Sequence, residues 1–69
     1  MLQIFSQRLQ QLRKDSGLKQ SELASILKTT QRRISYLESG KIEPDLSTLI
    51  MLAKYFDVSA DYLIGLIDY

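Results

Sequence analysis

Residues 29–41 read TTQRRISYLESGK, a short helix with one narrow apolar side. Thr30 is a residue type that caps the start of a helix, and Gly40 is the type that ends one in a left-handed turn. Between them the only aliphatic side chains are Ile34 and Leu37. The stretch therefore predicts a helix between these two caps, with an apolar side that packs inward and another side that must contact something else.

The other side of this helix carries side chains that suit the edges of DNA bases. At about 100° per residue, Arg32, Tyr36 and Ser39 lie away from Ile34, and Gln31 lies at the flank. Arginine pairs with guanine, and glutamine with adenine, through two hydrogen bonds each. Taken alone, however, the same side chains would also suit a solvated face with a tyrosine lying along the surface.

Four further helices are predicted around this one from apolar spacing, caps and glycine stops. In chain order, the first helix runs to about Ser16, the second from about Gln20 to Leu27, and the third over residues 31–39. The fourth follows Asp45 and runs to Phe56, and the fifth follows Ser59. Their inward stripes are Leu2, Phe5, Leu9 and Leu12; Leu23, Ala24 and Leu27; Ile34 and Leu37; Leu46, Leu49, Ala53 and Phe56; and Leu63 with Leu66 or Ile67. No strand, repeat or linker is predicted. The sequence thus indicates an all-α fold, a compact five-helix bundle forming one domain over residues 1–69.

The composition of the 69-residue chain excludes several classes of protein. Without cysteine there can be no disulfide framework and no thiolate metal site, and without histidine the commonest general base and metal ligand is absent. There is no glycine-rich phosphate loop, and no apolar run approaches the ~18 residues of a membrane span. We therefore expect a cytoplasmic protein that is not an enzyme, has no catalytic residues and no membrane partner, and binds no metal, cofactor or small-molecule substrate.

Charge is distributed unevenly along the chain. Residues 8–41 contain eight basic and three acidic side chains, a balance of +5, whereas residues 42–69 contain one basic and five acidic ones, a balance of −4. A split this sharp suggests that one end of the molecule faces a polyanion such as nucleic acid. Chance clustering of charges on a solvated surface is the alternative.

The surroundings of the quoted helix strengthen the DNA-binding interpretation. Two short helices joined by about three residues, with the small Ala24 at their crossing, match helix-turn-helix geometry over about residues 20–39. The run LKQSELASILKTTQRRISYLESGKIEPDLSTLIMLAKYFDVSADYL, residues 18–63, resembles the XRE family, the Cro- and phage-repressor-type helix-turn-helix domains, and the likeness extends back to Phe5. This resemblance implies a lambda-repressor-like fold and a bacterial or phage-encoded transcriptional regulator, expected to be a repressor.

The resemblance also implies roles for individual residues. Four positions match those that contact base edges in the major groove, namely Thr30, Gln31, Arg32 and Tyr36. Five match positions at the sugar-phosphate backbone, namely Lys19, Gln20, Arg33, Ser39 and Lys41. Gln20 would open the second helix, where free N–H groups favour an anion.

The family further implies a structural ion pair between Arg13 and Glu38. The residues themselves give a reason to expect it. Glu38 lies in the last turn of its helix, where the helix dipole disfavours a carboxylate, and on the inner edge, so it needs a cation. The alternative is that both side chains simply reach solvent.

Three positions depart from the family pattern. Lys28 stands where a glycine is usual, so the turn must either hold a left-handed lysine at a cost of about 1 kcal/mol or adopt another shape. Thr29 replaces an apolar residue, and Glu43 stands in a loop that is often basic. These departures predict altered contacts in the turn and fewer phosphate contacts in the loop.

The expected partner is double-stranded DNA with a palindromic operator, bound by a homodimer, because one such domain reads too few base pairs to be selective. The apolar side chains available for a dimer contact are Tyr62, Ile64, Ile67, Tyr69, Met51 and Tyr55. Equally, these side chains could merely cover the end of the bundle. A second class of function remains open: a protein-interaction module with the same fold, such as an antitoxin or accessory subunit.

Overall fold

Five helices make up the fold. A computed structural model of the chain describes the backbone of residues 2–69 and the side chains of residues 3–69. Within this range the helices are α1 (Leu2–Asp15), α2 (Gln20–Ile26), α3 (Gln31–Ser39), α4 (Leu46–Phe56) and α5 (Ala60–Ile64), and no strand is present. The predicted all-α, five-helix architecture is therefore confirmed. The expected place of Leu2 on the apolar stripe lies outside the described side chains, as does Met1.

Every helix ends in the same backbone arrangement. A residue just beyond the last turn has a positive φ, and the amide of the following residue donates to a carbonyl five positions back. The residues with positive φ are Gly17, Lys28, Gly40, Asp57 and Gly65. Such an arrangement satisfies carbonyls that a helix end leaves without a partner. The stop predicted at Gly40 is confirmed, and the first two helices each end one residue earlier than predicted.

Side-chain hydrogen bonds cap the starts of α2, α3 and α5. The Thr30 hydroxyl accepts a hydrogen bond of 3.1 Å from the Arg33 amide, and Ser59 caps α5 in the same way. At the start of α2, a carboxylate oxygen of Glu22 accepts a bond of 2.8 Å from the Lys19 amide. These bonds satisfy amide groups that helix geometry leaves unpaired, and so they fix where each helix begins.

An apolar core lies between the helices. α3 packs against α1 and α2, and α5 packs against α1 and α4. The buried apolar side chains are Phe5, Leu9, Leu23, Ala24, Leu27, Ile34, Leu37, Leu52 and Leu63. Partly buried side chains packed against them include Leu12, Leu18, Leu49, Ala53 and Phe56. Because burying each large apolar side chain contributes about 1.5–3 kcal/mol, this core stabilises the fold and orients α3.

One predicted core position, Leu46, is wrong, and of the two alternatives on the last helix Leu66 is excluded. Leu46 is 72% exposed, and Leu66 is 70% exposed. On α4 the fully buried Leu52 marks the inward direction, and Leu46 lies about 120° around the helix from it. Leu66 follows the left-handed turn at Gly65, which ends α5 before a further inward position is reached. The alternative to Leu66, Ile67, is half-buried.

Candidate nucleic-acid interface

The core determines which side of α3 faces outward. Ile34 and Leu37 are fully buried, and Glu38 is buried on the same side of the helix. Gln31 and Arg32 are exposed. The outward side of α3 therefore presents polar and cationic groups on a helix that the core holds in place.

The turn between α2 and α3 consists of residues 27–30. Ala24 of α2 is only 3% exposed, as expected for a small residue where two helices cross closely. Lys28 is left-handed, with a φ of 56°, so of the two predicted alternatives the turn adopts the one that strains the lysine. The Thr29 amide then donates to the Ala24 carbonyl at 2.9 Å. The turn thus keeps a shape that suits glycine, at a cost of about 1 kcal/mol.

A buried ion pair ties α3 to α1. The Arg13 guanidinium donates to both carboxylate oxygens of Glu38, from Nε at 2.5 Å and from Nη2 at 3.0 Å. Arg13 Nη1 also donates to the Leu18 carbonyl at 2.8 Å, in the turn that follows α1. The hydrogen bonds to Glu38 raise the pKa of Arg13 above its ordinary value. The structure thus brings together the two residues for which an ion pair was expected.

Gln20 joins this ion pair from α2. Its Nε2 donates to Oε1 of Glu38 at 3.0 Å. A side chain expected at a phosphate is therefore also a link between α2 and α3. A side-chain amide carries two N–H donors, so Gln20 retains one for another partner.

The four expected base-contacting residues form one outward surface, which is termed the reading face: Thr30, Gln31, Arg32 and Tyr36. The first three are exposed, and Tyr36 is half-buried one turn further along α3. The Thr30 hydroxyl oxygen caps the helix, which leaves its O–H available as a donor. Arg32 Nε donates to the Tyr36 hydroxyl at 3.0 Å. The side chains of the reading face are thus partly ordered by contacts within the protein.

Tyr36 lies between two cations. Cζ of Arg32 is 5.5 Å from the ring centroid, and Nζ of Lys41 is 5.1 Å from it. The Lys41 amide donates to the Tyr36 carbonyl at 3.0 Å, which holds the start of the following loop beside the ring. Cation–π contacts at exposed sites contribute about 0.5–1 kcal/mol each. Lys41, an expected phosphate contact, therefore adjoins the reading face.

The other expected phosphate contacts, at α2 and α3, differ in their hydrogen-bond partners within the protein. Lys19 is exposed at the start of α2. Ser39 is exposed at the end of α3, where its hydroxyl donates to the Tyr36 carbonyl at 3.3 Å. Arg33 instead points toward the start of α4, where its Nη2 is 3.1 Å from Oδ1 of Asp45. Of these three, Arg33 is the one already paired with an acidic group.

Asp45 connects α3 to α4 through Arg33. The hydroxyl of Thr48, which is buried in α4, holds the pKa of Asp45 below its ordinary value of 3.8, and Arg33 lowers the pKa further. Arg33 Nη2 also lies 3.5 Å from Oγ1 of Thr48. Because the Asp45 carboxylate is exposed, this pair directs the Arg33 side chain more than it stabilises the fold.

The role of Arg8 was not predicted from the sequence. Its Nη1 donates to the carbonyls of Tyr62 and Ile67, the latter at 2.8 Å. Its Nη2 lies 3.5 Å from Oδ1 of Asp68, and its Cζ lies 4.2 Å from the centroid of the Tyr62 ring. These partners are 54 or more positions away along the chain, so no local pattern reveals them. Two of the eight basic side chains that suggested a polyanion, Arg8 and Arg13, are therefore used inside the fold.

The described residues were also compared with three other kinds of feature: a metal site, a membrane-spanning helix and a small-molecule pocket. Among the described residues, no group of three or more histidine, cysteine, aspartate or glutamate side chains could hold a metal ion. Within residues 2–69, no helix is both long enough and apolar enough to cross a bilayer. An open groove of about 460 Å³ between α1 and the end of α3 is lined by Gln3, Ser6, Gln7, Glu38, Ser39 and Gly40. It has, among residues 3–69, no aliphatic or aromatic side chain in its lining, whereas small-molecule pockets are lined mostly by such side chains.

Comparison with known proteins points in the same direction as the geometry. A family model described as "Helix-turn-helix" matches residues 9–63. YobD of Bacillus subtilis (strain 168), described as an uncharacterized HTH-type transcriptional regulator, is 37% identical over 65 residues, which are 94% of this chain and 58% of that protein. The HTH-type transcriptional activator BcrR of Enterococcus faecalis is 40% identical over 61 residues, which are 88% of this chain and 30% of that protein.

A third relative is the HTH-type transcriptional regulator ImmR of Bacillus subtilis (strain 168). It is 36% identical over 61 residues, which are 88% of this chain and 48% of that protein. The chain thus spans between 30% and 58% of the length of these three relatives.

Proposed function

Because the chain belongs to the helix-turn-helix family, we propose that it is a transcriptional regulator that binds double-stranded DNA by sequence, with α3 in the major groove. The observation that carries the proposal is the exposure of Gln31 and Arg32 on a helix whose opposite side is buried in the core. A helix held in this way can present arginine and glutamine to base edges in one register. Residues 1–69 act as one DNA-binding domain in this proposal.

The reading face would contact the bases. Arg32 would pair with O6 and N7 of a guanine, and Gln31 with N6 and N7 of an adenine. Tyr36 would lie against a thymine methyl group or a sugar, and Thr30 would reach a base edge near the start of the helix.

The flanking residues would contact the sugar-phosphate backbone. They are Lys19, Gln20, Arg33, Ser39 and Lys41. Such contacts supply affinity that does not depend on sequence, and they set the register of α3 on the duplex. Arg33 would have to share its guanidinium between a phosphate and Asp45, so its contribution should be smaller than that of a free cation.

A homodimer on a palindromic operator completes the proposal. The described chain measures 28 × 23 × 20 Å, which is less than the ~34 Å between half-sites one helical turn apart, so one copy would read one half-site. The side chains proposed for the contact between copies are the exposed Met51, Tyr55 and Tyr69 and the half-buried Tyr62, Ile64 and Ile67. Such a regulator would act in the cytoplasm and would repress a promoter that its operator overlaps. A reporter assay separates repression from the activation named for BcrR.

The test compares two arginines that are adjacent on α3. Operators are first selected from a random duplex pool and then varied one base pair at a time. Arg32→Ala should weaken binding to the selected site by about 1–3 kcal/mol and flatten the preference at one G·C pair per half-site. Arg33→Ala removes the same charge but should weaken all operators alike, because a phosphate contact carries no sequence information.

Two outcomes would contradict the proposal. If Arg32→Ala weakened every operator equally, Arg32 would be only a phosphate anchor and α3 would not read bases through it. If the wild-type protein recovered no preferred sequence from the pool, a protein-interaction module would be the better description.

A further inference from the structure

We propose that Tyr36 is a positioning residue, which holds the Arg32 guanidinium in the orientation that reads guanine. The inference rests on the proposed function and deepens it, since Tyr36 would act on the base through Arg32. Its basis is the hydrogen bond of 3.0 Å from Arg32 Nε to the Tyr36 hydroxyl, made across one turn of α3.

This hydrogen bond determines which N–H groups of Arg32 remain for DNA. Arginine carries five N–H donors in one plane, and the contact to guanine O6 and N7 needs two of them side by side. A side-on approach would use Nε and one Nη, whereas an end-on approach uses Nη1 and Nη2. Because the Tyr36 hydroxyl occupies Nε, the end-on pair is the one that remains available for guanine.

Tyr36 is itself well supported. It is half-buried, and the neighbouring Leu37 is fully buried in the core. The Tyr36 carbonyl accepts hydrogen bonds from the Lys41 amide at 3.0 Å and from the Ser39 hydroxyl at 3.3 Å. The long, exposed side chain of Arg32 is thus hydrogen-bonded to an aromatic side chain that has fewer rotatable bonds. Ordering a flexible side chain before binding reduces the entropy lost on binding, and so strengthens the contact.

The two cations on the Tyr36 ring have different proposed partners. Arg32 and Lys41 lie 5.5 and 5.1 Å from the ring centroid, measured from Cζ and Nζ. Arg32 is the proposed base reader, and Lys41 is a proposed phosphate contact. One aromatic ring would therefore set the position of a base contact relative to the backbone.

The experiment removes only the hydroxyl. In Tyr36→Phe the ring and its cation–π contacts remain, but Nε of Arg32 loses its acceptor. We expect the preference for G·C over other base pairs at the Arg32 position to fall about two- to tenfold, the range of one net hydrogen bond. Affinity for random duplex should stay the same. The control is Ser25→Ala, which removes an exposed hydroxyl from α2, outside both the reading face and the proposed contact between copies, and should change neither quantity.

A double-mutant cycle separates positioning from direct contact. In the Arg32→Ala background, Tyr36→Phe should cause no further change in base preference. The inference is overturned if Tyr36→Phe leaves the preference intact, or if it has the same effect with and without Arg32, since the Tyr36 hydroxyl would then act on DNA without Arg32. A wild-type protein with no base preference would instead overturn the proposed function, and the inference with it.

A second measurement needs no DNA. Nitrogen-15 relaxation of the Arg32 Nε–H group reports how ordered this side chain is in the free protein. Tyr36→Phe should lower its order parameter, and Ser25→Ala should not. An Nε–H group equally mobile in all three proteins would overturn the inference, even if DNA binding were unaffected.

Discussion

Glu38 is the residue at which three helices meet through hydrogen bonds. Its side chain is 3% exposed and accepts two bonds from Arg13 of α1 and one from Gln20 of α2. A carboxylate in the last turn of a helix is disfavoured by the helix dipole, and burial disfavours it further. The guanidinium of Arg13 compensates both effects. Glu38 therefore belongs to the support of the reading face rather than to its surface.

We expect Glu38→Gln to lower the free energy of unfolding by about 3 kcal/mol, because it leaves the Arg13 charge buried without its counterion. Base preference should be unchanged. Urea unfolding and binding to the operator series measure the two quantities. Glu43→Gln makes the same charge change in an exposed loop and should alter stability by less than about 0.5 kcal/mol. An altered preference at unchanged stability would place Glu38 on the reading face.

The element that joins α2 to α3 is a turn built around a residue with an unusual conformation. Lys28 has a φ of 56°, and Asp57, at the end of α4, has a φ of 55°. For an L-residue this region brings Cβ close to the following carbonyl, although aspartate visits it more readily than lysine. Two turns of the same shape therefore carry different amounts of strain.

Lys28→Gly should raise the free energy of unfolding by up to about 1 kcal/mol, because glycine adopts the left-handed region without a Cβ clash. This gain in stability is limited because glycine loses more backbone conformational entropy on folding than lysine does. Asp57→Gly should give a smaller gain. Thermal unfolding of both variants makes the comparison. If Lys28→Gly were no more stable than the wild type, the strain assigned to this turn would be absent.

At the scale of the whole molecule, the charge that faces outward differs from the charge counted along the chain. Arg8 holds the segment after α5, and Arg13 is buried against Glu38. Arg32, Lys19 and Lys41 are exposed. The cationic surface available to a polyanion is therefore smaller than the balance of +5 suggests, and it includes side chains on α3, just after α3 and at the start of α2.

Affinity for DNA should fall as salt rises, with a log–log slope of about −0.9 for each phosphate neutralised. Lys41→Ala should reduce the magnitude of this slope by about 0.9 and weaken all sequences alike. Lys54→Ala, at an exposed lysine on α4, should leave the slope unchanged. Affinity that was flat between low and physiological salt would contradict the interpretation of the charge pattern and favour a protein-interaction module.

The helices could be predicted because their signals are local. Caps such as Thr30 and stops such as Gly40 form hydrogen bonds within five positions of themselves, so residue type and spacing specify them. The inward side of α4 was predicted less well. Leu46 fits the apolar spacing but is exposed, because the orientation of a helix depends on the helices that it packs against. Spacing alone contains no information about those neighbours.

The sequence by itself determined the helical architecture and the exposure of Gln31 and Arg32, since helical periodicity places Arg32 opposite Ile34 and Gln31 at the flank. Only the tertiary structure decided the partners of the long polar side chains. Arg33 contacts Asp45, and Arg8 contacts the chain after α5. The physical reason is that a long side chain can reach any of several groups at similar energy, and the docking of distant helices decides which group lies within hydrogen-bond distance.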